Sequence, residues 1–318
     1  MLLKLTNFQE LLTLNKEITI ITYSTIDITI RFEKSITIRN PLIFTFRSTV
    51  GKELKRISCL FKKRKSCDEC IINNSCPYSF YFESPEFERG SKKPHPYILF
   101  VNFQHNVEIT NAVVTFTFLG EKAISNFPYL FYSLMRSGEK GIFKDRIKFN
   151  ITDVKANNQS IYESNDKINM DFERKLFKIE TNFEYVGLKN YKINFLTPVR
   201  IKKDGKLLTS IDYSIFIKSM FRRFNLLNKI YGSNEIDKFI DFNRFLSVKY
   251  QKSKFDKKSF NYYSSRQKRK VLLIGIQGYL DITKEFTDFE ISLLKSAEIF
   301  GVGSNTTFGF GKVMIVQD

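Results

Sequence analysis

The chain has 318 residues, 42% of them hydrophobic, which is enough for packed cores and for two domains of ordinary size. Lysine and arginine number 51 against 33 aspartates and glutamates, a net charge of +18. An excess of that size calls for a polyanionic partner, and nucleic acid is the usual one. No apolar run reaches the ~20 residues of a membrane span, no basic amphipathic helix or lipidation motif points to a membrane surface, and Met1 to Glu17 lack the layout of a secretory signal. A cytoplasmic protein with no membrane partner is the expectation.

Residues 18–38 carry Ile18, Ile20, Tyr23, Ile26, Ile28 and Ile30 among Thr and polar types, a strand pattern. Ile43 to Ser58 follow as a helix with Arg47, Lys52, Lys55 and Arg56 on a basic face. A cysteine-containing insertion covers Cys59 to Pro77. Strands are predicted over Tyr97 to Phe103 and Glu108 to Leu119, a short helix over Pro128 to Ser137 and a strand over Arg146 to Val154. The order β-α-β-β-α-β is that of a ferredoxin-like unit.

The polar stretch Asn157 to Asp171 reads as a hairpin end or a linker. The pattern then returns. Tyr191 to Ile201 is a predicted strand and Asp212 to Tyr231 a helix. Arg244 to Tyr250 and Val271 to Asp281 form a strand pair, Phe286 to Phe300 a second helix, and Lys312 to Val316 a last strand. The expectation is an α+β chain of tandem ferredoxin-like (RRM-like, βαββαβ) domains. The first spans residues 1–182 with the insertion at 59–77, and the second spans residues 183–318. Ser137-Gly138-Glu139-Lys140-Gly141 precedes the fourth strand of the first unit, where the second unit has a longer glycine-rich loop, as an internal duplication would leave it.

That loop, Gly301-Val302-Gly303-Ser304-Asn305-Thr306-Thr307-Phe308-Gly309-Phe310-Gly311, has four glycines in eleven residues. Glycine accepts positive φ, so successive N–H groups can converge on a phosphate. A Walker loop is excluded, because it runs from strand to helix and the fourth spacer after Gly303 is followed by Phe308 rather than glycine. A helix C-cap and tight turn would account for Gly301 without any ligand.

Lys249 to Lys270 hold nine cations and one acid. Lys252, Lys254, Lys257, Lys258, Arg266, Lys268 and Arg269 lie in this belt, with Tyr250, Phe255, Phe260, Tyr262 and Tyr263 interleaved. The composition fits a hairpin that joins two strands and grips RNA, with cations on phosphates and rings on unpaired bases. Charge runs are also common as solvated loops, and aromatics as strand packing.

The chain's four cysteines fall together as Cys59-x7-Cys67-x2-Cys70-x5-Cys76. Four soft ligands in one loop suit a structural Zn²⁺, with an iron–sulfur cluster or free thiols as the alternatives. A fully thiolate-ligated zinc has no open position for catalysis.

Taken together these segments resemble the CRISPR precursor-RNA processing endoribonucleases of the RAMP superfamily. The resemblance rests on GVGSNTTFGFGKV at 301–313 and on Leu196-Thr197-Pro198-Val199-Arg200 followed by Lys202-Lys203-Asp204-Gly205. It also rests on Phe221-Arg222-Arg223, Phe46-Arg47, Cys76-Pro77-Tyr78 and His95-Pro96-Tyr97. It implies a repeat-RNA nuclease that needs no catalytic metal, in which a 2′-OH attacks the adjacent phosphate and leaves a 2′,3′-cyclic phosphate. Arg47, Lys55, Arg56, Lys202, Lys203, Arg222, Arg223, the belt cations and Gly301, Gly303, Ser304, Asn305, Thr306, Gly309 and Gly311 are the implied RNA contacts. Many members carry a catalytic histidine near the first helix, and this chain has none between residues 40 and 58. The candidates left are Lys52 for phosphorane charge, and His95 and His105, each in a turn, for proton transfer. The competing reading is a RAMP-type subunit that holds guide RNA without cutting. Other expected partners are CRISPR effector subunits and a second copy of the chain.

Overall fold

The computed structural model describes residues 18–61, 67–88, 91–101, 106–163, 166–233, 240–264 and 269–317. His105, Arg266 and Lys268 lie outside the described residues. Alternation sets the first strand: Ile26, Ile28 and Ile30 are fully buried, while Thr25, Asp27, Thr29 and Arg31 point to the other face of β1 (Ile18–Thr37). Helix α1 (Leu42–Ser58) buries Leu42, Ile43, Phe46, Val50 and Leu54, the stripe expected of a helix lying on a sheet. The strands β2 (Tyr97–Val101) and β3 (Glu108–Leu119), helix α2 (Phe127–Lys140) and β4 (Phe149–Ala156) complete the unit. The sheet runs β2-β3-β1-β4, every pair antiparallel, which is the ferredoxin-like order. Glu53 of α1 ties the two helices together. It is 4% exposed and accepts from Lys140 Nζ at 2.7 Å and Arg56 Nε at 2.9 Å.

The second unit repeats the plan with β6 (Tyr185–Phe195), α3 (Tyr213–Tyr231), β7 (Tyr250–Ser264), β8 (Arg269–Thr287), α4 (Asp288–Phe300) and β9 (Val313–Gln317). Its sheet runs β7-β8-β6-β9, again antiparallel. Asp212 caps α3 by accepting from Ile215 N at 2.7 Å, and Thr287 and Glu290 form a capping box at the start of α4. The chain is therefore two tandem ferredoxin-like units, each with its own helix-covered core.

Three features differ from the sequence-based expectation. The predicted strand Arg244 to Tyr250 gives way to a 3₁₀ turn at Phe242–Phe245, and the basic belt is itself strand β7, paired residue for residue with β8 from Tyr250↔Thr283 to Ser264↔Arg269. A lysine-rich sequence is tolerated there because β7 is an edge strand with solvent on one side. A strand unforeseen in the sequence, β5 (Lys175–Glu180), pairs with the first residues of β1, so that Ile21, Phe177 and Ile179 enter the second core. Lastly, the far end of the β7–β8 hairpin reaches the first unit. Phe260 and Tyr262 lie 6.1 and 5.6 Å from the Phe44 ring of α1, and Tyr262 lies 5.1 Å from Phe308. Tyr262 is thus taken up in the contact between the units and is not a free platform for a base. Among the described residues no helix is long and apolar enough to cross a membrane.

Candidate nucleic-acid interface

Residues 301–311 leave the end of α4 and cross the backbone of the segment before α3. Gly303 has φ 72°, and a Cβ there would sit 2.5 Å from Arg200 O. Gly311 has φ 77°, and a Cβ would overlap Val302 O. Only glycine fits such crossings. Most loop amides are bonded within the protein: Val302 N to Gly311 O at 2.8 Å, Ser304 N to Arg200 O at 3.0 Å, and Gly311 N to Pro198 O at 2.8 Å. The expectation that the whole loop turns its N–H groups to a phosphate is corrected accordingly. Gly301, Gly309 and Gly311 serve the loop's own fold. Among the described residues the N–H groups of Gly303, Asn305, Thr306 and Thr307 donate to no protein acceptor; Gly303 and Asn305 are half-buried, while Thr306 and Thr307 are buried.

These residues line a cleft of ≈ 540 Å³ shared by both units. His95 comes from the first unit; Arg200, Lys202, Arg222 and Arg223 come from the second, and among the described residues no acidic side chain lines the cleft. Arg222 is exposed, while Lys202 and Lys203 sit exposed on a small hairpin against Lys206–Leu207. Arg223 is different. Its guanidinium donates to Phe300 O at 2.9 and 2.7 Å, to Gly303 O at 3.3 Å and to Thr306 Oγ1 at 3.0 Å. Burial pushes its pKa down to about 10, which leaves it charged at neutral pH. Its donors hold the loop's shape, an arrangement that suits a clamp for the loop. Arg200 carries no expected role from the sequence beyond its place in the Leu196–Arg200 segment, yet it lines the cleft, donates to Ile274 O at 2.9 Å and lends its carbonyl to Ser304.

His95 Nε2 stands 3.4 Å from the Arg47 guanidinium and 3.2 Å from Ser84 Oγ. Arg47 in turn reaches Tyr97 OH at 3.3 Å, and its guanidinium lies 4.5 Å from the centroid of the Phe308 ring and 5.2 Å from that of Phe82. Cation–π contacts of this kind are worth about 0.5–2 kcal/mol. Arg47, expected on the RNA, therefore spans the two units and orients His95. The other α1 cations are spread out. Lys55 lies over the Tyr78 ring at 4.9 Å, Arg56 pairs with Glu53, and Lys52 is exposed and outside the cleft lining. Of the belt, Lys252, Lys254, Lys257 and Lys258 are exposed along β7, and Arg269 begins β8.

Cys59, Cys67, Cys70 and Cys76 follow the end of α1 as free thiols. Burial raises the Cys67 thiol, with the Glu83 carboxylate adding to the effect. Among the described residues no group of three or more His, Cys, Asp or Glu side chains is placed to hold a metal ion, so the thiols as they stand do not form the expected tetrahedral set.

Residues 193–313 match the family model described as CRISPR-associated endoribonuclease Cas6. The match runs from β6 to the start of β9 and so lies within the second unit. Residues 20–173 match a model described as an N-terminal domain. The cleft's loop, Arg200, Lys202, Arg222 and Arg223 all fall inside the Cas6 match, while His95 and Arg47 fall inside the other. No curated protein matches the chain. Among solved structures, a Cas6 product complex is 11% identical and aligns over 93% of this chain and 99% of its own, with a TM-score of 0.49. Thermus thermophilus Cas6 is 11% identical over the same shares, with a TM-score of 0.48. A RAMP protein described as binding different RNA substrates is 10% identical over 92% of this chain and 99% of its own, with a TM-score of 0.44.

Proposed function

We propose that this protein is a CRISPR repeat-RNA endoribonuclease that cuts precursor transcripts into guide RNAs without a catalytic metal. The observation that carries the reading is the cleft, with no acidic side chain among its described lining residues, in which His95 of one unit faces Arg200, Lys202, Arg222 and the unbonded amides of Gly303, Asn305, Thr306 and Thr307 of the other. Cations and amides on that wall suit an RNA phosphate, and the +18 net charge suits the strand on either side of it. In the reaction the 2′-oxygen forms a bond to phosphorus as the bond from phosphorus to the 5′-oxygen breaks. The 2′-OH proton passes to a base and the leaving 5′-oxygen takes up a proton. The products are a 2′,3′-cyclic phosphate and a 5′-OH. Arg200, Lys202 and Arg222 would offset the phosphorane charge, and His95 is the proton carrier at hand.

One observation favours the non-cutting alternative, a subunit that holds guide RNA: His95 Nε2 is already engaged by Arg47 and Ser84. The test is incubation of purified protein with the host's repeat RNA in EDTA, beside the same RNA with a 2′-deoxy sugar at the cut site. Cutting of the first alone, with a cyclic phosphate end, supports the enzyme. Tight binding with neither cut supports the holding subunit. A structural zinc on Cys59, Cys67, Cys70 and Cys76 is a separate proposal, which rests on four thiols in one short stretch of sequence. One zinc per purified chain supports it, and purified chain without zinc refutes it.

A further inference from the structure

The sheet of the second unit has two unlike faces. One carries Tyr191, Ile193, Phe195, Leu280 and Ile282 into the core under α3 and α4. On the other, Tyr279 of β8 lies across the strands from Lys254 of β7 and Asn194 of β6. Lys192, on β6, holds its ammonium 4.9 Å from the centroid of the Tyr279 ring. The next row is Lys252, Asp281 and Lys192, and among the described residues neither lysine forms an ion pair with Asp281. Tyr279 is half-buried and its hydroxyl has no hydrogen-bond partner among the described residues. Beyond it the edge strand β9 leaves Met314 and Val316 45% and 40% exposed.

A ring on the third strand of a ferredoxin-like unit, with cations on both neighbouring strands, is the arrangement with which an open sheet stacks an unpaired base and pairs its phosphates. We propose that this face is a second RNA site, separate from the cleft, that stacks an unpaired nucleotide on Tyr279 and holds its phosphates with Lys192, Lys252 and Lys254. The proposal rests on the reading of the protein as an RNA-binding nuclease. Charge decides the occupant. Lys192, Lys252 and Lys254, with Lys258 further along β7, outnumber the carboxylates of Asp281 and Asp256 on this face and match a single-stranded polyanion, and the ring matches a base of any identity, so the site takes unpaired RNA with little sequence preference.

The test uses the full chain and a fluorescent 12-nucleotide oligouridine, with a fully paired RNA of the same length and the host's repeat RNA beside it. Tyr279→Ala is expected to weaken oligouridine binding by about 5- to 150-fold, the range set by loss of one stacked base. Tyr279→Phe keeps the ring and is expected within about twofold of wild type, and neither variant changes binding of the paired RNA. Tyr279 sits outside the core, so both variants are expected to keep the wild-type melting temperature. Oligouridine carrying 4-thiouridine is expected to crosslink to the β8 segment that holds Tyr279. Wild-type affinity in Tyr279→Ala, or crosslinks confined to residues 303–308, would overturn the second site. In that case loss of repeat-RNA binding by Arg222→Ala would leave the cleft reading standing. Wild-type protein that binds neither repeat RNA nor oligouridine would overturn both.

Discussion

Removing the Arg223 guanidinium separates the two roles that an arginine beside an RNA cleft can have. In Arg223→Met the stem is kept and the charge lost. Phe300 O then loses two donors, Gly303 O a long one at 3.3 Å, and Thr306 Oγ1 one at 3.0 Å. A buried acceptor left without its donor costs about 1–3 kcal/mol. Phe300 O, at the last turn of α4, also loses a cation that favours that helix end by about 0.3–1 kcal/mol. The long Gly303 contact adds little, and the total is about 3 kcal/mol. This falls on the loop, because α4 and the core are held by other contacts. Opening of the loop should become about 100-fold more frequent. Hydrogen exchange reads this directly. The amides of Val302, Ser304 and Gly311, which are bonded in the folded loop, should lose about two decades of protection, while core amides of β8 keep theirs. Repeat-RNA affinity should fall with them. Arg223→Lys should recover less than half of the loss, since one ammonium cannot span three acceptors. If affinity falls while the three loop amides stay as protected as in wild type, Arg223 contacts RNA itself and the clamp is wrong.

His95→Ala is expected to lower the single-turnover cleavage rate by about 10²- to 10⁴-fold while repeat-RNA affinity stays within about threefold; Lys52→Ala, exposed and outside the cleft, is expected to change either by less than about threefold. Equal losses in the two variants would contradict the cleft-centred reading. Glu53→Gln should cost about 1–2 kcal/mol of stability, less than for a sealed pair because Lys140 and Arg56 are 39% and 46% exposed and regain water. Burial works to raise the Glu53 carboxyl, but the hydrogen bonds and charges of Lys140 and Arg56 outweigh it and hold its pKa below the ordinary 4.5. Its contribution is therefore full above that value and is lost as pH falls through the lowered one. Thermal melts of wild type and variant should differ at pH 7 and converge in acid, and a gap that widens in acid would show the sign to be wrong.

The parts of the fold that were legible in the sequence are those with a local cause. Period-two isoleucines mark β1, and the 3.6-residue stripe from Leu42 to Leu54 marks α1. The glycine-rich loop is legible through its positive φ, but which of its amides stay unbonded is not. Whether an amide faces a ligand or a neighbouring carbonyl depends on what crosses it, here Pro198 to Arg200, a hundred residues earlier. Strand β7 is not legible in the sequence because its lysines hide the alternation; only its pairing with β8 and its place at the sheet edge make a strand of it. His95 read as a turn residue between prolines, and its position opposite Arg222 depends on Arg47 and Phe308, both distant in sequence. Tyr279 gave no signal at all, since one tyrosine in an apolar strand is ordinary until the face it occupies is known.

The cleft is a property of the two units together. Its histidine and its phosphate-facing wall belong to different units, and what brings them into register is the end of the β7–β8 hairpin laid on α1. Phe44, Phe260, Tyr262, Phe308 and Phe310 meet there, and Phe310 and Leu273 are buried in the first unit's core although they belong to the second. Phe308 takes part in both arrangements, packing on Tyr262 on one side and under the Arg47 guanidinium on the other. Aromatic pairs of this kind add about 0.5–1.5 kcal/mol beyond their buried area. A Phe308→Ala change therefore removes one contact of the hairpin and one of the His95 support at once. A residue this coupled should not behave additively: combined with Tyr262→Ala, its effect on cleavage should be smaller than the product of the two single effects, because either change alone already loosens the contact that sets the cleft. Multiplicative losses would mean that the hairpin and the histidine are held independently, and that the register of the cleft has another source.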